Sequence, residues 1–172
     1  MKKHLLTALF ILCTVCAKAQ VIWTVKAGAG ISNISEGSPF AWKAGLSVDI
    51  PLSDKFMFIP GVEAASKTAI TYQHSPSNSY DEELFFVQVP LQLGYKLRIG
   101  NAYDMNFKLG PYLGVPLDSG EFDYGIDAGI DFGYKHFVAG IDFQAGFAIQ
   151  GEDYSGDTYN TTALFITLGY RF

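Results

Sequence analysis

Beyond residue 20 the chain alternates apolar and non-apolar side chains with a period of two, stretch after stretch. Successive side chains of a strand point to opposite faces, so this pattern describes strands with one oily side and leaves little room for helices. In "FVQVPLQLGYKLRI", Val87, Val89, Leu91, Leu93, Tyr95, Leu97 and Ile99 oppose Gln88, Gln92, Gly94, Lys96 and Arg98. "FVAGIDFQAGFAIQ" sets Phe137, Ala139, Ile141, Phe143 and Phe147 against Gly140, Asp142, Gln144 and Gly146. "YGIDAGIDFGY" sets Tyr124, Ile126, Ile130, Phe132 and Tyr134 against alternating Gly and Asp. "VIWTVKAGAGI", "FAWKAGLSVDI", "MNFKLGPYLGV" and "ALFITLGYRF" repeat the pattern, the second with Phe40, Trp42, Leu46, Val48 and Ile50 on its oily side. "FMFIPGVEAAS" is the least regular, with Phe58, Pro60, Val62 and Ala64 as its oily side. Eight strands are predicted.

The first nineteen residues are a different kind of segment. "MKKHLLTALFILCTVCAKA" joins a basic start (Lys2, Lys3) to an apolar run from Leu5 to Cys16 and an A-x-A ending at Ala17 and Ala19. That is the layout of a cleavable secretory signal peptide over 1–19, with 20–172 as the barrel domain. The apolar run is too short to cross a bilayer as a helix. Val15 stands before Cys16, where a lipid-attachment site takes a small residue. Both cysteines lie in this segment, so the mature domain has no thiolate nucleophile, disulfide or cysteine-held metal. Losing Lys2, Lys3 and Lys18 takes the twelve basic residues to nine against seventeen acidic ones, a formal charge of −8. Such acidity argues against nucleic acid as a partner.

Which face of each strand turns inward decides the compartment. A soluble eight-stranded barrel such as a lipocalin turns its apolar residues inward. Here the non-apolar faces combine charges with glycines small enough to crowd a narrow lumen. The oily faces carry Trp23, Trp42, Tyr95, Tyr134 and Tyr170 near strand ends, where aromatic girdles meet the membrane interfaces. Connections alternate in length: "PLSDK", "GNAYD" and "KH" are tight, whereas "SNISEGS", "KTAITYQHSPSNSYDEE", "PLDSGEF" and "GEDYSGDTYN" are longer and polar. With the signal peptide, this predicts an all-β fold, an eight-stranded antiparallel up-and-down transmembrane β-barrel in the outer membrane. Parity by itself leaves the soluble alternative open. Lipid does not tolerate an open sheet edge, so "ALFITLGYRF" is expected to close against the first strand. Tyr170 and Phe172 then face outward at the periplasmic rim, as a C-terminal signal for the barrel-assembly machinery.

"VKAGAGIS", "VQVPLQLGYK", "LGPYLG" and the final "LGYRF", in that order behind an A-x-A-Q signal ending, resemble the PorT-like outer-membrane β-barrel family of Bacteroidota. The resemblance covers essentially the whole mature chain and implies an eight-stranded outer-membrane barrel. The family's founding member takes part in protein secretion and gliding, so an accessory barrel of such a machinery is one alternative role that the resemblance raises.

Candidate chemistry is sparse. His74 lies in the longest loop near Ser75, Ser77 and Ser79, with Asp81, Glu82 and Glu83 downstream. Small outer-membrane barrels that deacylate or palmitoylate lipid A use Ser and His, so a lipid A enzyme is a second alternative. The same composition describes a solvated, turn-rich loop, and no third group or held geometry can be placed. The expectation is therefore no enzyme, no catalytic residue and no cofactor. "GEDYSGDTYN" and "LDSGEFDY" hold oxygens that suit hard cations but lack the ligand order of a calcium loop, so no metal site is assigned. Weak bridging of divalent ions is the most they suggest.

The charges on the strands say more. Lys26, Asp49, Lys96, Arg98, Lys108, Asp131, Asp142 and Arg171 all fall in the periplasmic half of the lumen when the strands are traced up and down. Unpaired, they would be costly, so opposite signs are expected to pair. They form either a selective channel or proton relay, or a polar plug. Eight strands leave an interior that side chains just fill, which favours the plug. The expected function is a small non-enzymatic outer-membrane barrel whose outer loops bind or shield, surrounded by outer-membrane lipid and lipopolysaccharide. No protein partner can be named.

Overall fold

The eight alternating stretches form eight strands, each hydrogen-bonded to the next and the last to the first. The computed structural model describes residues 21–32, 39–71, 80–100, 102–117, 122–148 and 159–172. Its strands are β1 (Ile22–Ser32), β2 (Phe40–Pro51), β3 (Phe56–Thr71), β4 (Tyr80–Ile99), β5 (Tyr103–Pro116), β6 (Asp123–Tyr134), β7 (Phe137–Ala148) and β8 (Tyr159–Arg171). They close into one antiparallel barrel in sequence order. β1 and β8 seal it from Thr24 opposite Arg171 to Ser32 opposite Ala163. The Phe172 N–H donates to the Trp23 carbonyl at 2.9 Å, extending the seal to the rim. No edge is left for hydrocarbon to meet.

Parity sorts the side chains as the alternation predicts. Leu91, Leu93, Ile141, Ile166 and Leu168 are exposed on the outer wall, whereas Gln88, Asp127, Asp142, Gln144 and Thr167 are buried inside. This is the reverse of a lipocalin-like barrel. Ile50, expected on the oily wall, is an exception at 9% exposure. It lies where β2 pairs Ile50 with Phe58, beside the turn at 52–55, and is covered there. Aromatic rings band both ends. Phe56 meets Tyr95 at 5.2 Å, Tyr103 meets Tyr134 at 4.9 Å and Tyr170 meets Phe172 at 5.1 Å at the end carrying the short turns. Trp42 with Phe85, and Tyr124 with Phe147, pair at 6.3 Å at the other.

Two connections differ from expectation. The segment 67–83, expected as loop, is mostly strand: β3 and β4 stay paired from Lys67 opposite Leu84 to Thr71 opposite Tyr80. Alternation of hydrophobicity stops there while pairing continues, because a hairpin beyond the bilayer has no lipid to face. Asp104, expected in a tight turn, is the second residue of β5, opposite Arg98 of β4. His74 and its serines, and most of "GEDYSGDTYN", lie outside the described residues.

Three prolines interrupt the wall. Paired registers skip Val48–Asp49 opposite Ile59–Pro60, Gly61–Val62 opposite Val89–Pro90, and Leu91–Gln92 opposite Gly110–Pro111. Each gap holds one proline, which brings no N–H to the ladder. The interruptions step across β2 to β5 as a diagonal.

Candidate functional site

Inward parity turns one side chain in two toward the barrel axis, and on β6 those side chains are carboxylates and glycines. Asp123, Asp127 and Asp131 recur every fourth residue there, with Gly125 and Gly129 between them and Gly133 following. Gly129 and Gly133 make room for charged side chains reaching in from other strands, whereas Gly125 lies against the backbone of Ala145 and Gly146. A Cβ on Gly133 would lie 2.5 Å from Asp104 Oδ1 and 2.6 Å from an Arg171 guanidinium nitrogen. A Cβ on Gly129 would meet Asp142 and the Lys108 chain. Bare backbone at those positions is what lets these pairs form.

The inner charges make one chain of contacts. Lys26 pairs with Asp131, and Lys108 bridges Asp131 at 3.1 Å to Asp142 at 2.9 Å. Lys43 takes up Asp142 at 3.1 Å, Glu63 at 3.5 Å and Asp127 at 3.7 Å. Gln144 donates its amide to Asp127 at 2.8 Å and to the Gln88 side-chain carbonyl at 3.2 Å. Gln88 in turn donates to Asp123 at 3.3 Å. Lys67 closes the upper end, donating to Asp123 at 2.8 Å and to the Tyr112 hydroxyl at 3.0 Å, with its ammonium 4.5 Å from the Tyr112 ring centre. Seven strands contribute to this chain, and Thr167 of β8 donates to Asp142 at 3.5 Å.

A second cluster lies toward the short-turn rim. Arg171 holds both oxygens of Asp104, at 2.8 and 2.9 Å, and Lys96 stands 3.5 Å from the same carboxylate. Below it Asp49, Lys96 and Arg98 line a mouth cavity of about 260 Å³ together with Ile22 and Met57.

Of the eight residues proposed from sequence, Lys26, Lys108, Asp131 and Asp142 meet in the inner chain, and Lys96 and Arg171 in the rim cluster. Asp49 and Arg98 line the mouth, and among the described residues neither makes an ion pair within 4 Å. The charges therefore form two groups, and the inner one climbs well past the half of the lumen nearer the short turns. Lys43, Glu63, Lys67, Asp104, Asp123 and Asp127 were missed. Lys43, Glu63 and Asp127 carry inward parity in stretches that already read as strands, so continuing the parity upward finds them. Asp104 and Asp123 sit at the ends of strands, and Lys67 opens the stretch of β3 where hydrophobic alternation has stopped, so the apolar face gives no signal for them. Among the described residues, no group of three or more His, Asp, Glu or Cys is arranged to hold a metal.

A family model described as "Outer membrane protein beta-barrel domain" matches residues 18–172. Among solved structures, Ail, the attachment invasion locus protein of Yersinia pestis, is similar with a TM-score of 0.44 at 14% identity, covering 88% of this chain and 97% of that one. Neisserial surface protein A is similar with a TM-score of 0.44 at 13% identity, covering 88% and 96%. A de novo designed transmembrane β-barrel gives 0.44 at 10% identity, covering 88% and 95%. No curated relative matches the sequence.

Proposed function

We propose, for a chain that belongs to the family of outer membrane protein beta-barrel domains, a structural and surface-presenting role: a plugged barrel that anchors its outer loops in the outer membrane. The continuous buried chain of side chains from Lys26 to Lys67 carries this reading. Opposite charges facing each other in a narrow lumen neutralise and fill it, and a filled lumen conducts nothing. Residues 1–19 are its secretory signal, cleaved before the barrel reaches the membrane. The order of motifs from "VKAGAGIS" to "LGYRF" supports a PorT-like protein of Bacteroidota, surrounded by phospholipid and lipopolysaccharide. A part in a secretion or gliding machinery is the alternative on the same resemblance.

The protein is not an enzyme in this reading. A lipid A hydrolase or acyltransferase needs a nucleophile and a base held together at the lipid face, and the buried polar contacts described in the lumen are ion pairs and hydrogen bonds of side-chain amides and hydroxyls. The lipid A mass profile of a strain lacking the protein should match the parent strain. Loss of a deacylated or palmitoylated species would replace this reading with the enzyme.

Tyr170 and Phe172, with Phe137, form an aromatic cluster on the outer face of the closing strand, with rings 5.1 and 5.6 Å apart. We assign them the role of a docking signal for the barrel-assembly machinery. Phe172→Ser should lower the folded yield in cells severalfold while leaving refolding into detergent micelles near wild type. Normal yield in cells would contradict that role.

A further inference from the structure

The oily wall is not uniformly bulky. Around the β1–β8–β7–β6 seam, at the height just inside the short-turn rim, the outward row reads Ala27, Leu168, Ala139, Phe132. Ala139 thus stands between two protruding neighbours, Leu168 at 68% and Phe132 at 52% exposure. Phe137 and Tyr170 bound the row on the rim side, paired at one height. The result is an open apolar groove of about 720 Å³. Its size falls within the roughly 300–1,000 Å³ of small-molecule sites.

At the foot of the groove is the β6–β7 turn, Lys135–His136. Lys135 holds a left-handed conformation at φ 53°. Its N–H donates to the Ala102 carbonyl at 3.1 Å, and the His136 carbonyl accepts from the Arg171 N–H at 2.7 Å, so the turn is tied to its neighbours on both sides. His136 Nδ1 lies 2.9 Å from the Arg171 carbonyl. A carbonyl only accepts, so Nδ1–H donates to it, and in the imidazolium form Nε2–H is a second donor left for an anion. The imidazole stacks on Tyr170 at 5.5 Å, and the Lys135 ammonium lies 5.4 Å from the Tyr134 ring centre. Both basic side chains are exposed, directly beneath an aromatic band.

From this juxtaposition we propose that the wall carries a binding site for one anionic diacyl phospholipid of the periplasmic leaflet. One acyl chain lies over Ala139 between Phe132 and Leu168, and the phosphodiester sits at Lys135 and His136. Charge and depth select this occupant. Short turns mark the periplasmic side of outer-membrane barrels, and the leaflet there is built of phospholipid. An aromatic band sits at headgroup height, and a basic pair beneath it favours an anionic headgroup over a zwitterionic one. A second copy of the chain seated there would bring its own Lys135 and His136 to the rim, with no carboxylate in the groove to meet them. The site depends on the chain spanning a membrane, and not on the lumen being plugged.

The test uses the purified barrel in dodecylmaltoside, mixed with phosphatidylglycerol or phosphatidylcholine and read by native mass spectrometry. Wild type should retain one phosphatidylglycerol under activation that strips phosphatidylcholine. Ala139→Phe fills the groove and should weaken retention about tenfold, a change of about 1.4 kcal/mol. Ala139→Leu should do the same more mildly, and Val115→Phe, elsewhere on the outer wall, should do nothing. The double variant Lys135→Gln with His136→Gln should bind both lipids alike. Heat-dependent gel mobility checks that each variant is folded. Equal retention by wild type and both Ala139 variants, an unchanged lipid preference in the double variant, or protein dimers in place of lipid adducts would each overturn the proposal.

Discussion

Asp123→Ala should destabilise the folded barrel by about 3–5 kcal/mol, the cost of removing one partner from a buried ion pair. Lys67 is 1% exposed, and among the described residues Asp123 is the carboxylate that meets it, at 2.8 Å. Without it the ammonium keeps, among the described residues, the Tyr112 hydroxyl and ring face. Asp142→Ala should cost less, although Asp142 touches two lysines. Lys43 retains Glu63 and Asp127, and Lys108 retains Asp131 at 3.1 Å. Replacing both members of the upper pair, Lys67→Met with Asp123→Leu, should cost far less than the single change, because no charge is left unmatched. Guanidinium unfolding from micelles, followed by the fluorescence of Trp23 and Trp42, measures all three. A larger loss for Asp142→Ala than for Asp123→Ala would show that the network does not partition as its contacts suggest.

A basic residue on the outer wall should be nearly as damaging. Leu91→Arg and Ile141→Arg each place a guanidinium in hydrocarbon and should cost about 2–4 kcal/mol if near the midplane. Ile141 is 53% exposed, and its wall neighbours Ile130 and Ile166 are apolar, so lipid is the only solvent it meets. Gln92 is 5% exposed and points the other way. Gln92→Arg has to fit among lumen side chains but meets no lipid. Equal insertion of Leu91→Arg and Gln92→Arg into vesicles would mean that the faces are assigned the wrong way round.

Alternation made the barrel legible because lipid acts on every second residue of every strand. The directions of Leu91, Gln92, Ile141 and Asp142 follow from it without reference to any neighbour. It fails where lipid stops acting. Lys67–Thr71 and Tyr80–Leu84 form a hairpin beyond the apolar band, and their composition reads as loop. Asp104 is the second residue of its strand, before the run of alternation that begins at Met105, and so reads as turn and hides the carboxylate that Lys96 and Arg171 share. Partner choice was illegible for a different reason. Lys26 and Asp131 are 105 residues apart and come from β1 and β6, which are not neighbours in the wall. Contacts across a lumen depend on barrel width and strand stagger together, and neither is written in one strand. The Ala139 groove needs the same knowledge, since Phe132, Ala139 and Leu168 share a height only once three strands are in register.

The plug is tested most directly by recording ion current through the purified wild-type protein in a planar bilayer. Lys26, Lys43, Lys67 and Lys108, matched by Asp123, Asp127, Asp131 and Asp142, occupy the axis of an eight-stranded lumen that side chains can fill. Silence is expected under voltages of either sign, with new conductance in a variant such as Asp142→Ala that loosens the network. Steady, resolved conductance from the wild-type monomer would contradict the plug and make the same charges the lining of a selective pore.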